Sequence, residues 1–196
     1  MRRLLPGSFH ILLLLTAVVS LALVAPASAT VLHYRTILNG ANESPPNLSL
    51  GTGVAEITID DVANTMRVQA TFSGLTGTTT ACHIHAPTPT AGTGTASVAT
   101  QTPLFTGFPT GVTSGTYDHT FDLTLTSSYN ASFVTANGGT AAGAEAALLA
   151  AIAANKSYFN LHSTDKPGGE VRGFLAAFDP TPTVASTWGR IKSFYR

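Results

Sequence analysis

The sequence predicts an all-β domain, a Greek-key β-sandwich or flattened barrel of about seven strands with one helical insertion. Three observations carry that expectation. Threonine fills 30 of the 196 positions, and a β-branched residue suits a solvated strand face better than a helix interior. Segments of strict apolar–polar alternation recur along the chain, separated by turn residues. Only one stretch, Ala141–Ala154, has the length and apolar stripe of a good helix.

Each element follows from its own pattern. Val31–Asn39 sets Leu32, Tyr34, Thr36 and Leu38 on one face, with His33, Arg35 and Ile37 on the other. Gly40 to Leu50, which contains Pro45-Pro46, reads as a loop. Val54–Ile59 and Met66–Phe72 flank Asp60-Asp61 and Asn64, a hairpin signal. In the second of these, Met66, Val68, Ala70 and Phe72 face the core while Arg67, Gln69 and Thr71 face water. Thr79–His85 is a fourth strand. The Thr/Pro/Gly segment from Ala86 to Gly115 has a length that is usually functional or flexible. Thr116–Thr126 alternates again, with Tyr117, His119, Phe121, Leu123 and Leu125 on its apolar side. Leu148, Leu149 and Ile152 form the stripe of the helix. Tyr158–His162 and Glu170–Phe178 close the domain as two more strands.

The two ends read differently from this body. Arg2 and Arg3 precede an apolar run from Ile11 to Ala25, and Ala27-Ser28-Ala29 supplies a small-x-small cleavage pattern. Residues 1–29 are therefore expected to be a signal peptide, too short in its apolar part to span a bilayer. The mature chain would begin at Thr30 and be exported, to the periplasm, the cell surface or the extracellular space. Residues 30–179 form the globular domain, 180–185 a Pro/Thr linker, and 186–196 a short basic amphipathic tail carrying Trp188, Ile191 and Tyr195 at helical spacing. Such a tail suits a membrane surface or a protein partner, or docks on its own acidic domain; the pattern leaves these open. Equal numbers of basic and acidic side chains, ten each, argue against nucleic-acid binding by phosphate neutralisation. Cys82 is the single cysteine, so no intrachain disulfide staples this exported chain.

The residues that could carry chemistry are few. In Cys82-His83-Ile84-His85, the two histidines share a strand face roughly 6.5–7 Å apart, close enough to converge on one ion. Cys82 and Ile84 then point to the core, and Cys82 reads as a small buried hydrophobe. His162 ends another strand on a face shared with Tyr158 and Asn160. Together His83, His85 and His162 give three nitrogen donors with an open position, a set suited to copper or zinc and not to calcium or magnesium. His119 reads as a core histidine and His33 is ambiguous. Glu170 and Arg172 alternate on one strand face, where they would pair as a structural ion pair or bond to neighbouring strands. No catalytic triad or glycosidase carboxylate pair is discernible.

In order along the chain come Leu38-Asn39-Gly40-Ala41-Asn42-Glu43-Ser44-Pro45-Pro46, Phe72-Ser73-Gly74-Leu75, His83-Ile84-His85, Tyr158-Phe159-Asn160-Leu161-His162-Ser163 and Pro167-Gly168-Gly169-Glu170-Val171-Arg172-Gly173. This combination resembles the chordin-type (CHRD) domain over about Tyr34 to Leu175. The resemblance implies an exported β-domain of the single-domain bacterial type, and does not carry over growth-factor binding, which chordins place largely in other modules. A more distant resemblance is to the Cu,Zn superoxide dismutases, whose Greek-key barrels also carry a His-x-His strand, a later histidine and a Gly-Gly turn. By that resemblance His83, His85 and His162 match three copper-binding histidines, while the zinc-binding subloop, the bridging histidine and the disulfide partner have no counterpart. Three readings follow: a metal-binding or structural module of the envelope or extracellular space, a copper-dependent redox enzyme, or a metal-free adhesive module contacting its target through Ala86–Gly115.

Overall fold

The computed structural model describes residues 31–180. The expected signal peptide at 1–29, the tail and all but the first linker residue lie outside the described residues. Eight strands form one antiparallel sheet: β1 (Val31–Asn39), β2 (Thr52–Asp60), β3 (Thr65–Ser73), β4 (Thr79–His85), β5 (Gly115–Asp122), β6 (Tyr158–Ser163), β7 (Val171–Phe174) and β8 (Ala176–Ala177). Their order is β4-β6-β7-β1-β2-β3-β5, with β8 beside β1. The sheet is strongly curled, in keeping with the expected all-β barrel or sandwich class.

Long regular strands build one half. β2 and β3 pair without a register shift from Thr52↔Ser73 to Asp60↔Thr65. Their turn is fixed by the Asp60 carboxylate, which accepts from the Val62 and Ala63 amides at 3.0 and 2.8 Å. Asn64 then takes a positive φ of 51°, a conformation that asparagine tolerates better than most side chains. The inward residues of this half, among them Leu38, Ile57, Met66 and Val68, have no solvent exposure. After β3 the chain crosses to lay β4 at the opposite end of the sheet, then returns to set β5 beside β3. The two ends approach each other: Thr79 of β4 donates to Val112 O and accepts from the Gly111 amide, both at 2.8 Å.

Four details depart from the sequence expectation. The closing strand Glu170–Phe178 is broken, because Leu175 turns fully into the core and its amide bonds to Ser157 O at 3.0 Å. β5 stops at Asp122, whose carboxylate accepts from both the amide and the hydroxyl of Thr124; the chain bends there and Leu125 is left exposed. Two α-helices are present among the described residues where one was expected, α1 (Ala131–Ala136) and α2 (Ala141–Ala153). α1 is capped by the Asn130 side chain on the Ser132 amide and is too short for a repeating apolar stripe. Finally, the segment between β4 and β5 is largely structural: Ala99, Thr100, Phe105 and Phe108 are all buried.

Candidate metal centre

The alternation of β4 and β6 sorts their side chains cleanly. Cys82, Ile84, Phe159 and Leu161 point into the core with no exposure. The alternate positions His83, His85, Tyr158, Asn160 and His162 share the opposite face, in a register that sets His83 against Asn160, His85 against Tyr158 and Ala81 against His162. The three histidine rings sit at the corners of a nearly equilateral triangle, with centroids 5.9 Å (83–85), 5.3 Å (83–162) and 5.9 Å (85–162) apart. One ring nitrogen from each lies within 4.8 Å of the other two. His83 and His85 are buried and His162 half-buried.

Loops surround the triangle and fix its rings. His83 Nε2 bonds to Pro103 O at 2.7 Å, His85 Nδ1 to Ala96 O at 2.9 Å, and His162 Nδ1 to Pro167 O at 3.0 Å. A carbonyl only accepts, so each of these nitrogens carries the proton and each remaining nitrogen offers a lone pair. Those remaining atoms, His83 Nδ1, His85 Nε2 and His162 Nε2, are buried and have no hydrogen-bond partner among the described residues. Leaving a buried acceptor unpaired costs about 1–3 kcal/mol, and three such atoms on one cluster of rings is an arrangement that a metal ion resolves. Donor nitrogens oriented by a second hydrogen bond are also what metal-ligating histidines require. Burial disfavours the charged form of all three rings. Burial pushes His85 down to about 4, with further lowering from His162, His83 and Arg172 against the opposing bond to Ala96. Burial also lowers His83 and His162.

The loop carbonyls are placed by edge pairing. β4 is the end strand, and the following chain runs back along it: the Ala86 amide donates to Ser97 O and the Ala99 amide to Ile84 O. Thr100 Oγ1 accepts from the Ile84 amide at 2.9 Å. This return covers the sheet edge and sets Ala96 and Pro103 over the histidines.

A second polar cluster adjoins the first. Tyr158 stacks on His85 with centroids 4.8 Å apart and planes within 7°, and the Arg172 guanidinium lies over the same tyrosine ring at 4.6 Å. The expected pairing of Arg172 with Glu170 is not what forms. Arg172 Nε donates to Asn42 O at 2.5 Å and faces Glu43 Oε2 at 3.7 Å. Glu170, fully buried, instead accepts from Ser49 Oγ and the Thr76 amide, both at 2.5 Å, and from the Gly77 amide at 3.3 Å. Burial works against the Glu170 charge, but hydrogen bonding from Ser163, together with these bonds, outweighs it and holds its carboxyl below the usual range. Glu43 differs: burial pushes it up to about 7 against the pull of Arg172 and of the Ser44 amide, and its Oε1 has no partner.

The other singled-out residues stay apart from the triangle. His33 meets Thr58 Oγ1 at 3.3 Å and the edge of Phe178. His119 is half-buried between the rings of Tyr117 and Phe121. Cys82 lies on the core side of β4, where burial raises its thiol pKa well above the ordinary value. Sequence reasoning missed Glu43 as the partner of Arg172, although Asn42-Glu43 lies in one of the quoted segments. Acceptors such as the carbonyls of Ala96, Pro103 and Pro167 have no residue-type signature.

Comparison with known proteins adds one positive finding. No curated protein and no solved structure matches the chain. The family profile of the CHRD domain matches residues 34–175, from within β1 to Leu175, and takes in all three histidines. With most of its length inside that match and an all-β fold around it, this chain belongs to the CHRD domain family.

Proposed function

We propose that this chain is an exported CHRD module that holds one transition metal ion, copper or zinc, through His83, His85 and His162, in a binding or structural role at the cell envelope or outside the cell. The observation that carries the reading is the trio of buried, unpartnered nitrogens, His83 Nδ1, His85 Nε2 and His162 Nε2. Histidines that served only to bond strands would have no reason to leave three such atoms buried in one cluster. The burial of Phe105 and Phe108 weighs against the segment between β4 and β5 as a free adhesive surface. The reading is tested by elemental analysis of the chain recovered from outside the cytoplasm, where its N-terminus should be Thr30. One equivalent of metal is expected in the native chain and none in His83→Ala/His85→Ala. Stoichiometric metal that survives both substitutions overturns the ligand set, and recovery only as an uncleaved cytoplasmic chain overturns export.

A further inference from the structure

We propose that the three-histidine centre favours a monovalent ion, Cu⁺, over a divalent one, and that the Arg172 guanidinium sets this preference. The inference rests on the metal-binding reading above and narrows it from a class of ions to a charge. All three donors are neutral imidazoles, with no carboxylate or thiolate in the group. An ion held there keeps its full charge in a buried setting. The cost of removing an ion from water rises with the square of its charge, so a divalent ion pays far more for this pocket unless it brings an anion with it. Three nitrogens at the corners of a triangle, by contrast, complete the shell of a d¹⁰ monovalent copper.

Arg172 adds a fixed charge on the same side of the balance. It is 5% exposed and sits 4.6 Å over the Tyr158 ring, which in turn stacks at 4.8 Å on His85. A permanent cation therefore stands two ring spacings from a ligand. Its counter-ion is loosely held, with Glu43 Oε2 at 3.7 Å from Nε and Glu43 Oε1 without a hydrogen-bond partner among the described residues. The guanidinium's own field repels a divalent ion twice as strongly as a monovalent one.

The test is a pair of competition titrations on the full mature chain at pH 8, with Cu⁺ kept reduced under anaerobic chelator and Zn²⁺ in a second series. Native protein should bind both, and the quantity read is the ratio of the two association constants. Compared within a Glu43→Gln background, where no carboxyl can compensate by taking up a proton, Arg172→Gln should shift that ratio toward Zn²⁺ roughly tenfold, the effect of one unit charge over about 10 Å at an effective dielectric of about 20. Arg172→Lys keeps the charge and should keep the ratio even if both affinities fall. Glu43→Gln removes the counter-charge and should move the ratio severalfold the other way, so the proposal remains testable if Arg172→Gln fails to fold. A ratio unmoved by Arg172→Gln, or by Glu43→Gln, overturns the selectivity while leaving the metal site standing. Native protein that binds neither ion overturns both.

Discussion

Each histidine of the triangle donates one ring proton to a backbone carbonyl and offers its other nitrogen to a buried space, which ties stability to pH in the metal-free protein. His85 titrates at about 4 in the fold against an ordinary 6.5, so between those values the unfolded chain binds a proton that the folded chain refuses. Acidification through this window withdraws up to about 3 kcal/mol, and His83 and His162 are shifted in the same direction. Glu43 works in reverse. Its folded carboxyl is raised to about 7 from 4.5, so its stabilising contribution is complete below 4.5 and is lost as pH rises through 7. The two slopes oppose each other between pH 4.5 and 6.5. Urea denaturation in the presence of chelator should give a shallow profile for the native chain there, whereas Glu43→Gln should lose stability steadily from pH 6.5 to 4. Identical profiles for the two proteins would contradict this balance. At this scale the histidines were legible in the sequence because period-two alternation alone puts 83 and 85 on one face and 162 at the end of a strand. Partnerships across distant loops were not: alternation puts Glu170 and Arg172 on one face, to pair or to bond neighbouring strands, but does not reveal Glu43, 129 positions from Arg172.

Elements were legible wherever one face meets water. β1, β2 and β3 alternate because their outer residues are solvated, and their observed limits lie within two residues of the expected ones. β7 is different: Val171, Arg172 and Gly173 are all buried, so it offers no alternation and its break at Leu175 leaves no mark in the pattern. What holds β7 in place is close approach. A Cβ on Gly173 would run into Thr36 Oγ1 and the Ile37 carbonyl of β1, and a backbone carbonyl cannot swing aside as a long side chain can. Gly173→Ala should therefore force β7 away from β1 and cost about 3 kcal/mol, at the upper end of overpacking penalties. Gly168, five residues earlier, has nothing within 4 Å of its added Cβ, and Gly168→Ala should change the denaturation midpoint little. Equal effects at the two glycines would show that backbone entropy, and not the approach of β7 to β1, is what the substitution measures.

Across the whole molecule, the segment between β4 and β5 joins the core to the histidine centre. It pairs along the edge of β4, orients His85 and His83 through Ala96 O and Pro103 O, then turns Phe105 into the core against Tyr117, Phe121 and Phe159 at 6.0, 5.0 and 6.3 Å. Its length reads in the sequence as functional or flexible, because single aromatic anchors spaced along an irregular chain have no periodicity to reveal them. If this segment is the strut that holds the rings, a core substitution far from any nitrogen should disturb ion binding. Phe105→Ala removes a side chain with no solvent exposure and should cost about 3–5 kcal/mol of stability. It should also weaken metal affinity, measured by competition at a temperature where circular dichroism still shows a folded sheet. Removal of residues 181–196, which lie beyond the family match and beyond every core residue described, should alter neither quantity. A Phe105→Ala protein that is destabilised yet binds metal with native affinity would mean that β4 and β6 position the imidazoles unaided, and that the carbonyls of Ala96 and Pro103 follow the rings instead of setting them.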